Sequence, residues 1–170
     1  LLFSCEDLTD IMSSVTHQET PVDVSVVENV SAEQFREEIF PGNKPVLLKG
    51  LVAGWPAVRE GRESSGAMVR YIRGFDLGKP VETIMGQPDI EGKFFYNDQM
   101  SGLNFTKKPQ SIGRSMERIL GLRGQDKPAS IYIQSAPVSE FLPGFTDQNV
   151  LEIIDTSISP RIWIGNRLTV

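Results

Sequence analysis

Between Ser130 and Ala136 the sequence alternates, Ile131 and Ile133 going one way and Tyr132 and Gln134 the other. In an extended chain successive side chains point to opposite faces, so this segment is predicted to be a strand with one apolar and one polar face. Such a strand needs sheet neighbours and an apolar layer beneath it, and the other apolar runs are the right size to supply them. Val24 to Val30 is β-branched and alternates weakly. Val46 to Leu48, opened by Pro45, is too short for a helix and suits a buried strand. Pro80 to Met85 and Lys93 to Asn97 are predicted strands joined by a turn over Gly86 to Gly92. Pro160 to Val170, PRIWIGNRLTV, reads as a strand entering a buried β structure, with Ile162 and Ile164 alternating with Trp163 and Gly165.

Helical signals lie between these runs. Ser31-Ala-Glu-Gln34 is a capping-box pattern, with Ser31 accepting from the backbone and Gln34 reaching back, and the helix it opens should stop at Pro41-Gly42. Gly50 to Val58 is expected to turn and set Trp55 against the core. Ser64 or Ser65 caps a helix through Met68, Val69, Tyr71 and Ile72 that closes near Gly74. Ser111 opens the clearest helix, whose Ile112, Met116, Ile119 and Leu120 form a core-facing stripe before Gly121 and Gly124 end it. Residues 1–23, rich in Ser, Thr, Asp and Glu, form a peripheral segment with a short helix around Asp7 to Ser14. The fold class is therefore α+β, mainly β. A chain of 170 residues that is 39% hydrophobic, with nine Phe and two Trp, can bury one real core.

Several chemistries are excluded. A net charge of −5 argues against a nucleic-acid surface. The denser basic spots, Lys107 with Lys108 and Arg114, Arg118 and Arg123 on one predicted helix, read as solvated faces. The single cysteine, Cys5, cannot form an intrachain disulfide and suits a reducing compartment. No apolar run approaches the roughly 18 residues of a membrane helix, and LLFSCEDL lacks the basic start of a signal peptide, so a cytoplasmic protein is expected. Asn104-Phe105-Thr106 matches the glycosylation triplet, which is common by chance. There is no phosphate loop, nucleophile elbow or paired-cysteine motif. The single histidine, His17, sits in the polar stretch SSVTHQETPVD and reads as a surface residue.

Five blocks, in order, carry a family resemblance: FREEIFPGNKPVLLKGLVAGWPAV (35–58), KFFYNDQMSGLNF (93–105), SIYIQSAPV (130–138), FLPGF (141–145) and PRIWIGN (160–166). Over residues 24–170 the chain resembles the N-terminal part of a cupin-like, JmjC-type oxygenase, a family that includes bacterial cupin-like proteins and the asparaginyl hydroxylase of hypoxia-inducible factor. The resemblance implies part of a double-stranded β-helix, the cupin or jelly-roll fold, with flanking helices and strands on its N-terminal side. It also implies Fe(II), held by two histidines and a carboxylate, and 2-oxoglutarate, used with O2 to hydroxylate a protein side chain or similar substrate. A facial triad with open positions suits such iron chemistry. In the family a His-x-Asp/Glu pair follows the strand that begins at PRIWIGN. Here one histidine cannot supply two, so the domain is expected to stop before its metal-binding motif and the 170 residues alone to hold no iron.

The site residues are read from the same resemblance. Tyr132 matches a tyrosine that holds the far carboxylate of 2-oxoglutarate, and Gln134 a glutamine near the substrate. An exposed edge-strand face would carry the same residue types. Tyr96, with Asn104 close in sequence, matches an aromatic hydroxyl at the substrate mouth, though packing explains Tyr96 equally well. Trp163 and Asn166 are candidates for the pocket edge, against the ordinary reading of a buried Trp, and Lys49 reads as a strand-end surface charge. The reading from sequence is thus the front of a 2-oxoglutarate-dependent hydroxylase acting on a protein or peptide. Its competitor is a non-catalytic cupin-like module that binds a peptide or partner protein. Oligomeric state is left open.

Overall fold

Antiparallel pairing and helix caps organise the described residues around a four-stranded sheet, with core helices packed on the face that carries Ile133. The computed structural model describes residues 24–155 and 157–169. Cys5, His17 and the expected Asp7 to Ser14 helix lie outside the described residues. In chain order the elements are β1 (Ser25–Glu28), α1 (Ala32–Gln34, continued by the π-helical turn Phe35–Ile39), β2 (Val46–Lys49), α2 (Pro56–Glu63) and α3 (Ser65–Arg73). There follow β3 (Val81–Gly86), a 3-10 turn (Pro88–Ile90), β4 (Phe105–Gln110), α4 (Ile112–Gly121), β5 (Ser130–Pro137), α5 (Val138–Phe141), α6 (Phe145–Gln148) and β6 (Arg161–Gly165). Among the described residues β1 and β2 pair in parallel as a small sheet, and the main sheet has the order β4-β3-β5-β6. Each neighbouring pair in the main sheet is antiparallel.

The alternation of β5 does what its sequence requires. Ile131 and Ile133 are 1% and 0% exposed, and Ile133 pairs with Thr83, whose hydroxyl lies 3.1 Å from that of Ser115 on α4. Ile72 of α3, Ile112 of α4, Val138 and Phe141 of α5, and Leu142 close the core, with Ile162 and Ile164 of β6 packed against it. Each such side chain contributes about 1.5–3 kcal/mol by leaving water. Ser135 interrupts the strict alternation at φ +52°, and the register jumps from Ile133↔Ile164 to Ala136↔Ile162. Two residues of β5, Gln134 and Ser135, thus oppose Trp163 in a β-bulge, and the extra residue returns Ala136 to the core side.

The caps follow the sequence. Ser64 and Ser111 accept from the Ala67 and Arg114 amides at 3.0 and 3.3 Å, and Ser31 accepts from the Gln34 amide at 3.0 Å. The capping box is only half made, since the Gln34 side chain donates to Glu38 instead of reaching back. Four expectations are corrected. Lys93 to Asn97 is a loop joined to its neighbours by a single bridge, Tyr96 to Leu103, and the partner of β3 is β4. Gly50 to Val58 turns only as far as Trp55, after which Pro56 starts α2. Val46 to Leu48 is half-exposed, because β2 has only β1 beside it in the small sheet. Trp163 is 54% exposed, because the alternation that buries Ile162 and Ile164 turns it outward.

A buried amide joins the helices to the segment before β6. Asn149 Oδ1 accepts from the Ala57 amide at 3.0 Å, near the start of α2, while its Nδ2 donates to Tyr71 Oη and to the Phe145 carbonyl at 2.9 and 2.8 Å. The Trp55 indole donates to the Val150 carbonyl at 2.7 Å. This supports the structural reading of Trp55.

Candidate functional site

The sheet face opposite Ile131 and Ile133 carries Tyr132, Gln134 and Trp163, and the register arranges its residues in rows. One row reads Phe105, Gly86, Ser130, and the next Lys107, Ile84, Tyr132, Gly165. Strands are about 4.8 Å apart, so Lys107 and Tyr132 stand about 10 Å apart at the backbone with Ile84 as the floor between them. Ile84 is 6% exposed. Lys107 Nζ lies 2.9 Å from Glu82 Oε1, so the ammonium is paired yet surface-accessible.

Packing fixes the Tyr132 ring. Phe94 stacks on it with centroids 6.3 Å apart and planes 20° apart, and Phe105 meets Phe94 edge-on at 5.3 Å. A Cβ on Gly165 would lie 3.1 Å from Tyr132 Cδ2 and would collide with Thr169, so glycine there leaves the ring its place. No hydrogen bond engages the Tyr132 hydroxyl among the described residues, whereas that of Tyr71 is tied to Gln148 and Asn149. Tyr132 therefore presents a held donor that has no partner among the described residues.

Gln134 and Trp163 share this face, both exposed and opposed across the bulge, where Arg161 Nε donates to the Ser135 carbonyl and hydroxyl at 2.9 and 2.6 Å. Ser130, two residues before Tyr132 on the same face, is 0% exposed and its hydroxyl finds no partner among the described residues. Tyr96 lies exposed on the loop beyond Phe94, its ring edge-on to Phe95. Asn104 is turned to the backbone: its Oδ1 accepts from the Phe95 amide and its Nδ2 donates to the Lys93 carbonyl, both at 2.8 Å. Asn166 is buried, and its Nδ2 donates to the Ala129 carbonyl at 2.7 Å. The fold thus gathers Tyr132, Gln134 and Trp163, sets Tyr96 at a distance along a loop, occupies both ends of the Asn104 amide with main chain, and leaves Asn166 Oδ1 buried without a partner among the described residues.

Two concave spaces among the described residues lie away from Tyr132. An apolar cavity of about 230 Å³ between Met68, Met116, Leu120 and Ile164 is on the helix side of the sheet, and a cleft of about 410 Å³ runs between Ser31, Trp55 and Leu151. Neither is lined by Tyr132. The sheet face is favoured by its chemistry: the first cavity is walled mainly by apolar side chains, and the second, between Trp55, Leu51 and Leu151, carries none of the residues matched to a site.

The sequence profile of the cupin-like domain matches residues 31–170. The chain belongs to the cupin-like domain family. No curated protein matches it. The cupin-like assignment accords with the mixed helices and antiparallel sheet, which are consistent with a jelly-roll fold.

The metal implied by the JmjC-type resemblance does not fit the residues of this cupin-like domain that are described. Among them no group of three or more His, Cys, Asp or Glu is placed to hold an ion. The carboxylate of Glu82, on β3, is paired with Lys107. As site residues, sequence reasoning passed over Phe94, Gly86, Gly165 and Ser130, and it read Lys107 with Lys108 as a solvated face. The Ser-x-Tyr-x-Gln spacing was the available signal for Ser130. Lys107 was hidden by its neighbour: Lys107 and Lys108 point to opposite faces and form no cluster.

Proposed function

We propose that this cupin-like domain is the N-terminal part of a 2-oxoglutarate- and Fe(II)-dependent hydroxylase acting on a protein or peptide side chain, with the Tyr132 phenol donating to a carboxylate of 2-oxoglutarate. The observation that carries the reading is the Tyr132 hydroxyl, held by its ring and without a partner among the described residues. A carboxylate there would accept from the phenol, lie over the dry floor of Ile84, and feel the Lys107 ammonium along the same row. The role of these residues is to bind and orient. The iron ligands of this reading are not among the described residues, and no step is assigned to them. Gln134 and Trp163, beside Tyr132, and Tyr96, on the loop, are the substrate-facing residues of the proposal. A cytoplasmic location belongs to the same proposal; the described helices include none long and apolar enough to cross a membrane.

Tyr132→Phe in the full-length protein tests it. Losing a hydrogen bond to a charged carboxylate is worth about 1.5–3 kcal/mol, which raises the 2-oxoglutarate Kd by about 10- to 150-fold. An unchanged Kd by calorimetry removes Tyr132 from the site.

The second reading is a non-catalytic module that binds a peptide. Phe95, Tyr96, Met100 and Leu103 are all exposed on one loop beside the candidate face, an apolar surface such a module would use. Turnover separates the readings: release of CO2 from 2-oxoglutarate by the full-length protein supports the hydroxylase, and its absence with metal and peptide supplied supports the module.

A further inference from the structure

A phenol can serve a ligand only if its ring stays put, and the described structure shows what holds this one. Phe94 is the near-parallel partner of the Tyr132 ring, and Phe94 is itself clamped. A Cβ on Gly86 would lie 3.1 Å from Phe94 Cε1 and would collide with Ile90, so the bare backbone of β3 forms a seat for both side chains. Phe105, the register partner of Gly86, closes the seat edge-on. The main chain on both sides of Phe94 is held by one side chain: Asn104 donates to the Lys93 carbonyl and accepts from the Phe95 amide, and its own amide donates to the Phe95 carbonyl at 2.9 Å. The loop beyond this bracket exposes Phe95, Tyr96 and Met100, whereas Phe94 turns inward.

We infer that Asn104 and Phe94 are positioning residues that fix the phenol of Tyr132, with Gly86 as the seat that lets Phe94 reach it. The inference rests on the reading of Tyr132 as a ligand-binding residue and gives Asn104 a role that needs no contact with substrate. Aromatic pairs hold rings by offset stacking and edge contacts, and an amide that saturates both neighbouring peptide groups fixes the backbone that carries the ring.

The experiment uses full-length protein with ring-labelled tyrosine, the Tyr132 resonances being assigned by their loss in Tyr132→Phe. Phe94→Leu removes the ring, and Asn104→Ala releases the loop without touching it. Each is expected to move the Tyr132 ring resonances while leaving those of Tyr71 in place, and to raise the 2-oxoglutarate Kd about two- to tenfold. In a Tyr132→Phe background neither should weaken binding further. Tyr132 resonances that stay put in both variants overturn the inference, as does an equal loss of affinity with and without the Tyr132 hydroxyl. Moved resonances together with a Kd indifferent to Tyr132→Phe support the positioning and sink the binding role proposed for Tyr132. If Phe94→Leu fails to fold, the Asn104→Ala protein still decides between these outcomes.

Discussion

Two buried polar residues mark opposite extremes of satisfaction. Asn149 has both ends of its amide engaged, linking Ala57, Tyr71 and Phe145. Truncating it leaves the Ala57 amide without its partner and takes one hydrogen bond each from the Tyr71 phenol, which keeps Gln148, and the Phe145 carbonyl, which keeps the Asn149 main-chain amide. Asn149→Ala is therefore expected to destabilise by about 2–4 kcal/mol in urea unfolding, and a loss below about 1 kcal/mol would show the network to be incidental. Ser130 is the reverse, a fully buried hydroxyl without a partner among the described residues. A buried donor without an acceptor costs about 1–3 kcal/mol. Ser130→Ala should thus leave stability unchanged or raise it by about 1 kcal/mol, and a clear loss would mean that the hydroxyl is bonded in solution.

At the level of elements, legibility followed local chemistry. Ser64 and Ser111 announced their helices because a cap is decided within three residues, and Ser111→Ala should cost about 1 kcal/mol, measurable as a lowered urea midpoint. β5 was legible because Ile131 and Ile133 alternate with Tyr132 and Gln134. β4 was not: FTKKPQ has two lysines and a proline, and it is a strand because Pro109 and its neighbours sit at a sheet edge where charges and a missing amide are tolerated. The bulge at Ser135 escaped for a related reason, since it exists only relative to the register with β6. The site divides in the same way. Tyr132, Gln134 and Trp163 share a face through strand period and pairing, but Phe94 reaches Tyr132 from a loop that no periodicity describes. Gly86 belongs to this second class, and its role gives a prediction. Gly86→Val should dislodge Ile90 and Phe94, destabilising by about 1–3 kcal/mol as overpacking does, with enhanced proteolysis within 87–104 as its signature.

For the molecule as a whole, the two sheets differ in what holds them. β3 and β5 are flanked on both sides in the main sheet, and their helix-facing residues Val81, Thr83, Ile131 and Ile133 are buried. The sheet of β1 and β2 is two parallel strands with Val26 and Leu47 exposed, and a two-stranded pair has marginal stability of its own. Free energy of local opening tracks buried apolar contact, so the two sheets should not open together. Native-state hydrogen exchange is expected to place the β3 and β5 amides near the global unfolding free energy and the β1 and β2 amides several kcal/mol below it. Equal protection in both sheets would show that contacts such as Trp55 with Val150 bind the small sheet into the same cooperative unit. The distinction bears on function because Tyr132 and Ile84 stand on the sturdier sheet, while Phe94, which holds the phenol, stands on a loop. Ligand affinity should therefore respond to changes in the 93–104 loop at temperatures where β3 and β5 remain fully protected.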